Sequence, residues 1–190
     1  MAIYDDDVRN AVEVLRNGGT ILYPTDTIWG IGCNAADAAA VDKVFRVKNR
    51  PANKSVIILL AHEREVLPYV ATLDFEVFDV VARFNKPTTI VFDDAINLPD
   101  NVINADGSVA IRIVQDDFCR HIIKRLQHPL VSTSANISGE PSPQNFTQVS
   151  DAVKTSVDYV VNYRQKDVEP KEPSAIIHWH NNSTYTIIRP

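Results

Sequence analysis

Residues 56–60 read Val-Ile-Ile-Leu-Leu, an unbroken run of β-branched residues and leucine. A strand with one face in water alternates apolar and polar residues, whereas a continuous apolar run of this length is typical of a strand buried on both faces. A sheet that contains such a strand needs cover on each side, and helices usually provide it. The run therefore predicts a sheet packed between helices.

Helical and strand-like segments alternate along the rest of the chain. Asp5 to Asp7 are positioned to cap the first predicted helix, and Asp37 the second. The predicted helices span residues 8–15, 38–48, 75–84, 117–127 and 146–154. The predicted strands span residues 20–23, 56–60, 88–92, 108–113, 130–133 and 159–162, followed by a hairpin of 175–180 and 184–189 that turns at 181–183.

Interspersed helices and strands that end in an antiparallel hairpin predict a mixed sheet covered by helices. The expected fold class is α/β (α+β), in a single domain over residues 1–190, a length that can bury a sizeable core. Residues 164–173 are polar and bounded by proline, so they predict a loop that can act as a flap.

The composition argues against several functional classes. The formal net charge of −5 gives the whole chain no attraction to nucleic acid or to an anionic membrane, although a local basic patch is compatible with it. Cys33 and Cys119 form no CxxC pair, and His178 and His180 have no third ligand nearby, so neither a disulfide framework nor a metal site is predicted. The acidic N-terminus and the lack of long apolar runs predict a cytoplasmic protein without a membrane segment.

Two segments place hydroxyl groups after predicted strands. Residues 23–32, YPTDTIWGIG, follow the first strand, and open sheets tend to bind ligands at strand ends, but the spacing alone favours an ordinary turn. Residues 131–143, VSTSANISGEPSP, have hydroxyls and backbone N–H groups that can cradle a phosphate, with prolines that stiffen the loop; a flexible surface loop is the other interpretation. The chain contains no Walker A pattern, which excludes a P-loop.

Basic residues concentrate between a predicted helix end and the buried strand, although the chain is acidic overall. The cluster comprises Arg46, Lys48, Arg50 and Lys54. Lysine and arginine together suit a polyphosphate, since one supplies a point charge and the other a planar fork of donors. Complementing the negative end of the helix dipole explains the cluster equally well.

Arg112 stands alone among small residues on one face of the predicted strand 108–113, which it shares with Ser108 and Ala110. An arginine in this position can receive a carboxylate or a phosphate through two parallel hydrogen bonds. It can also form a structural ion pair with a neighbouring element. The residues alone leave both interpretations open.

In combination and in this order, the segments resemble the YrdC-like threonylcarbamoyl-AMP synthase family, in its short, single-domain form. The matching stretches cover nearly the whole chain: GGTILYPTDTIWGIGCNA, KNRPANK, SVAIRI, PLVSTSANISGEPSP, PSAII and IIRP. The resemblance implies a YrdC/RibB-like twisted mixed sheet with a positively charged concave site. It also implies a nucleotidyltransferase that makes threonylcarbamoyl-AMP and pyrophosphate from L-threonine, bicarbonate and ATP, with Mg²⁺. Separate transferase proteins would then modify tRNA to threonylcarbamoyladenosine, and direct tRNA binding is compatible with this role.

The resemblance also implies roles for individual residues, carried over by motif. Lys48 and Arg50 would be catalytic and would hold the ATP phosphates. L-threonine would be bound by Thr25, Arg112 and Ser174. The rest of the nucleotide site would comprise Ser108, Ser134, Asn136, Ser142 and Arg189. No protein side chain is implied as a metal ligand.

The chain departs from the family pattern in two places. Residues 84–87 are Phe-Asn-Lys-Pro where Trp-Pro-Gly-Pro is frequent, and the strand after KNRP lacks a histidine that some members have. Two other functions stay open. One is a non-catalytic module that binds tRNA or double-stranded RNA or acts in ribosome maturation, for which binding with a steep salt dependence is expected. The other is an enzyme of related fold, either a carbamoyl-adenylate-forming domain of a hydrogenase maturation factor or a sugar-phosphate lyase of riboflavin synthesis.

Overall fold

The computed structural model describes residues 2–49, 56–180 and 184–190. The strands in these ranges are β1 (Ile21–Tyr23), β2 (Gly30–Gly32), β3 (Ile57–Leu60), β4 (Thr88–Phe92), β5 (Val109–Ile113), β6 (Leu130–Ser134), β7 (Tyr159–Val160), β8 (Ala175–His180) and β9 (Thr184–Arg189). The α-helices are α1 (Asp5–Arg16), α2 (Ala38–Val47), α3 (Glu76–Val81), α4 (Asp117–Leu126) and α5 (Asp151–Ser156). Two short 3₁₀ helices span Glu63–Val66 and Phe146–Gln148.

All nine of these strands belong to one sheet, in the order β7-β1-β2-β6-β3-β5-β4-β8-β9. The pairs β1–β7, β3–β5 and β4–β8 are parallel, and the other neighbouring pairs are antiparallel. The sheet is therefore mixed and helices pack against it, which confirms the α/β class predicted from the sequence.

Strand β3 is buried on both faces, as its unbroken apolar run predicted. Ile58 and Leu60 pack in one hydrophobic cluster with Val44 of α2, whereas Leu59 packs in a second cluster with Phe118 of α4. Successive side chains of a strand point to opposite faces, so the two clusters lie on opposite sides of the sheet. Helices α1 and α4 contribute to the second cluster, and α2 and α3 to the first.

The predicted cap of α2 is confirmed, but that of α1 is wrong. The Asp37 carboxylate accepts a hydrogen bond from the backbone N–H of Ala40 at 3.1 Å. Helix α1 instead begins at Asp5 itself, and no side chain caps it. Asp7 is buried within the first turn, and its carboxylate accepts hydrogen bonds from the backbone N–H groups of Asn162 and Tyr163. The Asp7 carboxylate therefore links α1 to the segment after β7. It does not cap the helix, because backbone N–H groups of that segment satisfy its oxygens instead.

Other differences from the predicted elements have local causes. Strand β2 was not predicted, because it is only three residues long and two of them are glycine, a residue that is rare in strands. The predicted helix 75–84 shortens to α3, and the predicted helix 146–154 divides into a 3₁₀ turn and α5. Ser150 accepts a hydrogen bond from the N–H of Val153 and so begins α5 as a new helix. The β8–β9 hairpin is confirmed, while its predicted turn at 181–183 lies outside the described residues.

None of the helices in the described ranges is both long enough and apolar enough to cross a membrane.

We expect Gly32→Ala to destabilise the protein, because β2 lies unusually close to both neighbouring strands. A Cβ atom at Gly32 would lie 2.6 Å from the carbonyl oxygen of Val131 and 2.8 Å from the ring of Tyr23. Neither the strand backbone nor a fully buried ring can move away cheaply, so a loss of about 1–3 kcal/mol in the free energy of unfolding is expected. Urea denaturation monitored by circular dichroism measures it.

Gly30→Ala on the same strand is the matched control. Its added Cβ would meet the Ser132 hydroxyl at 3.0 Å as its nearest contact, and a side chain can shift by a few tenths of an ångström. Its cost should be clearly smaller. Equal costs at the two positions would show that close packing of the strands is not the reason.

Candidate functional site

A cavity of about 380 Å³ opens on the sheet where small residues of neighbouring strands lie side by side. The strand register places Ile57 of β3 opposite Ala110 of β5 and Ser132 of β6, and Gly30 of β2 opposite Ser134. All five residues line the cavity. Small side chains at adjacent positions leave room that bulky residues would fill, so the sequence itself produces the space. Its volume lies within the usual range of ligand sites, about 300–1,000 Å³.

Polar side chains converge on this cavity from separate parts of the chain. They include Thr27, Asn104, Arg112, Ser142, Ser174 and Arg189. Apolar walls with a few convergent polar groups are the usual composition of a small-molecule site.

Arg112 forms the ion pair of one interpretation, and it also lines the cavity, as the ligand-binding interpretation requires. Its side chain is 4% exposed, and Nη2 donates a hydrogen bond to Oδ1 of Asp26 at 3.0 Å. Among the described residues, its buried Nε–H has no hydrogen-bond partner. A buried donor without a partner is costly, and a ligand anion in the cavity would satisfy it.

Arg189 is the second guanidinium of the cavity. Its Nε and Nη2 donate to the backbone carbonyl of Ser174 at 2.9 and 2.7 Å, and the Ser174 hydroxyl is hydrogen-bonded to that of Thr89 at 2.8 Å. Partial burial, and secondly the positive charge of Arg112, lower the pKa of Arg189. Two guanidiniums that repel each other across one cavity form a site for anions.

Thr25 lies behind the cavity and shapes the loop that Thr27 presents. The Thr25 hydroxyl donates to the carbonyl of Ile28 at 2.8 Å and accepts the backbone N–H of Thr27 at 3.0 Å. The Thr27 hydroxyl lies 2.9 Å from that of Thr25. Thr25 is 2% exposed, and the lining includes Thr27 in its place. The segment Thr25-Asp26-Thr27 indicated two hydroxyl groups in this loop, but the sequence did not show which of them lines the cavity.

Lys48 also lies behind the cavity, at the C-terminal end of α2. Its side chain is 3% exposed, and Nζ donates to the backbone carbonyls of Ser134 and Asn136 and to the amide oxygen of Asn136. The Asn136 amide donates in turn to the carbonyl of Ile137 at 3.0 Å. The ammonium therefore fixes the start of the loop after β6, whose Ser134 and Ser142 line the cavity.

Ser108 lies immediately before β5 and is not in the lining of the cavity. It is 1% exposed; its hydroxyl donates to Asp106 at 2.6 Å and accepts from the side-chain amide of Asn104 at 2.9 Å. The hydroxyl and backbone hydrogen bonds from Ser108 lower the pKa of Asp106. Asn104, which the sequence analysis missed, is the residue of this turn that lines the cavity. An asparagine in a predicted loop carries no pattern that distinguishes it from a turn former.

The structure thus separates the predicted site residues into two layers. Those that line the cavity are Arg112, Ser134, Ser142, Ser174 and Arg189. Those that are not in its lining are Thr25, Lys48, Ser108 and Asn136. Arg50 lies outside the described residues.

Residues 164–173 form a loop without regular secondary structure, as predicted. The backbone N–H of Lys171 donates to the carbonyl of Gln144 at 3.1 Å, and its ammonium lies 3.4 Å from the carbonyl of Thr25. At its start, Arg164 pairs with Asp116 at 2.6 Å. The loop is therefore tied to both loops that surround the cavity, and its action as a flap stays a prediction.

The described residues contain no group of three or more histidine, cysteine, aspartate or glutamate side chains arranged to hold a metal ion. The carboxylate beside the cavity, Asp26, already accepts from Arg112 and from the backbone N–H of Gln115 at 3.2 Å. A divalent cation at this site would depend on oxygen ligands supplied by a phosphorylated substrate.

Comparison with known proteins identifies the family. Residues 13–190 match the Sua5/YciO/YrdC family model, which carries the description telomere recombination. The chain belongs to this family. It is 29% identical over 170 residues to a threonylcarbamoyl-AMP synthase of Idiomarina loihiensis, covering 88% of this chain and 90% of that protein. It is 32% identical over 156 residues to a threonylcarbamoyl-AMP synthase of Xanthomonas oryzae pv. oryzae, covering 80% and 83%.

Solved structures share the fold. Sua5 of P. abyssi, in a complex with L-threonine, superimposes with a TM-score of 0.86 at 25% identity, over 100% of this chain and 55% of that one. The present chain thus spans about half the length of that Sua5. YciO of E. coli gives a TM-score of 0.81 at 21% identity, over 97% of this chain and 88% of that one, which shows the fold alone.

We expect Thr25→Val to weaken the structure around the cavity, because valine keeps the shape of threonine but loses its hydroxyl. The buried carbonyl of Ile28 and the N–H of Thr27 would each lose a partner. The expected cost is about 1–3 kcal/mol in the free energy of unfolding, measured by urea denaturation.

Thr25→Ser is the control, because serine keeps the hydroxyl and loses only a methyl group. It should retain most of the stability. A Thr25→Val variant as stable as the wild type would show that the hydroxyl does not organise this loop.

Proposed function

We propose that the protein is a threonylcarbamoyl-AMP synthase, a nucleotidyltransferase that joins L-threonine, bicarbonate and ATP. Its products are threonylcarbamoyl-AMP, which partner transferases use to make threonylcarbamoyladenosine next to the anticodon of tRNA, and pyrophosphate. The observation that carries the proposal is the pair of guanidiniums, Arg112 and Arg189, at one cavity lined by serine and threonine hydroxyls. The relatives described above support it, because those of this name align with most of the chain and most of their own length.

The reaction requires three substrates in one site: L-threonine, bicarbonate as the source of the carboxyl carbon, and ATP. The amine of threonine attacks carbon dioxide derived from bicarbonate and gives a carbamate. A carbamate oxygen then forms a bond to the α-phosphorus of ATP, and the bond to the pyrophosphate oxygen breaks with its electron pair. No covalent bond to the protein is required, so the chain contributes by positioning the reactants and neutralising charge. A magnesium ion bound to ATP would offset part of the phosphate charge.

The positions of these residues support separate roles in binding L-threonine and in binding the nucleotide. Arg112 is assigned to the threonine carboxylate, with the Ser174 hydroxyl nearby and oriented by Thr89. Thr27 lines the cavity, and it is assigned the contact with L-threonine that the family motif implied for Thr25. Arg189 is assigned to the nucleotide side.

Ser134 and Ser142 are assigned to the nucleotide together with Arg189. Asn136 and Ser108 support that side from behind the cavity. Lys48 and Arg50 are assigned to the ATP phosphates and to the charge that develops on the departing pyrophosphate. Lys48 already holds the loop that carries Ser134, so its removal would disturb the nucleotide site in two ways.

The first test measures pyrophosphate release from ATP with magnesium and bicarbonate, with and without L-threonine and in the absence of tRNA. We expect release that depends on threonine, with threonylcarbamoyl-AMP detected by mass spectrometry. No release under any condition, together with tRNA binding that weakens steeply with salt, would replace this proposal by the non-catalytic RNA-binding module.

We expect Lys48→Ala to reduce the turnover of ATP about a hundredfold, because a charge-assisted contact and the anchor of the nucleotide loop are both lost. The rate of threonine-dependent pyrophosphate release measures this change. Lys43→Ala is the matched control: Lys43 lies on the same helix, and its ammonium donates to the carbonyl of Gly18 at 2.7 Å. Near-normal turnover in a folded Lys48→Ala protein would remove Lys48 from the mechanism.

A further inference from the structure

The carboxylate of Asp26 is fixed through both of its oxygens. Oδ1 accepts from Nη2 of Arg112 at 3.0 Å, and Oδ2 accepts from the backbone N–H of Gln115 at 3.2 Å. The side chains of Asp26 and Arg112 are only 9% and 4% exposed. Asp26 is therefore held beside Arg112, which lines the cavity, by a hydrogen bond to each of its carboxylate oxygens.

The two guanidiniums of the cavity consequently differ in charge balance. Arg112 is paired with a carboxylate, so the pair together carries no net charge, and the buried Nε–H of Arg112 lacks a partner among the described residues. Among the described residues, the hydrogen-bond partners of Arg189 are the carbonyl and the hydroxyl of Ser174, which are both neutral, so no carboxylate there offsets its positive charge. Nothing in the type of residue distinguishes these two arginines; the neighbouring carboxylate does.

This difference discriminates between anions. A triphosphate carries several negative charges, and each would be repelled by Asp26 at short range, in surroundings that screen charge less than water does. Free threonine is a zwitterion with one carboxylate and one ammonium. Its carboxylate can bind the guanidinium of Arg112, which lines the cavity, while its ammonium is attracted by Asp26. Specificity commonly depends on such a repulsive group directed against the wrong ligand.

We propose that Asp26 is a selectivity and positioning residue: by pairing with Arg112, it reserves that guanidinium for the amino acid and directs the phosphates to the side of Arg189. The proposal rests on the proposed function, since it concerns the two substrates of that reaction. It assigns Asp26 a role through Arg112 rather than a contact with the reacting atoms.

The experiment measures binding of L-threonine by calorimetry without nucleotide, alone and in competition with inorganic phosphate. In the wild type, phosphate should compete weakly. In Asp26→Asn, threonine should bind more weakly and phosphate more tightly. We expect the ratio of phosphate affinity to threonine affinity to rise about tenfold or more, because the charge next to Arg112 is lost while the side-chain shape is kept.

Two further variants separate selectivity from folding. Asp26→Glu keeps the negative charge, so it should retain the preference for threonine even if the longer side chain lowers both affinities. Asp6→Asn removes the same charge from a surface ion pair with Arg9, in which Asp6 is 71% exposed, and should leave both affinities unchanged. Thermal unfolding of each variant establishes the folded fraction to which the affinities refer.

The outcomes are distinct. A higher ratio in Asp26→Asn, with the ratio of Asp26→Glu near that of the wild type, supports the proposal. Equal ratios in the wild type and Asp26→Asn would overturn it and leave the proposed function standing. An equal rise in Asp26→Asn and Asp26→Glu would assign Asp26 a purely structural role. A wild type that does not bind threonine would overturn the proposed function and this assignment together.

Discussion

The burial of β3 on both faces is the constraint on which the rest of the structure depends. Ile58 and Leu60 face one cluster and Leu59 faces the other, so apolar side chains surround this strand on both faces of the sheet. Ile57, the first residue of β3, is the one residue of this strand that is partly exposed. It lines the cavity, and Ala110 and Ser132 lie beside it on the neighbouring strands. The cavity thus forms at the end of the strand that organises the core.

The charged groups at this site are held before any ligand arrives. Lys48 and Arg189 donate to backbone carbonyls, and Arg112 donates to a carboxylate. Buried charges require such partners, because removal from water is costly. The same contacts fix the position of each cation, so a bound anion gains from groups that are already ordered. A neutral carbonyl offsets less of a cation's charge than a carboxylate does. The type of partner therefore determines how much positive charge each group has available to attract a ligand.

The sequence predicted those parts of the molecule that depend on local patterns. The apolar run of β3, the alternation in β5 and the Asp37 cap each reflect a spacing that can be read from neighbouring residues. Strand β2 could not be predicted, since its Gly32 lies too close to Tyr23 and Val131 for a larger residue, a contact that only the folded sheet creates.

The site shows the same limit. Motif comparison selected loops that the structure places around the cavity, but Thr27 rather than Thr25 is in the lining, because the direction of each hydroxyl depends on a turn of a few residues. It identified Arg112 but not its partner Asp26, which lies 86 residues away in the chain. A sequence motif shows which residue types accompany a function, whereas the net charge of a site depends on which residues contact one another in the folded protein. An acidic chain can therefore contain an anion site: the net charge of −5 is a sum over the whole chain, while the cavity has one arginine paired with a carboxylate and one that, among the described residues, donates to a carbonyl.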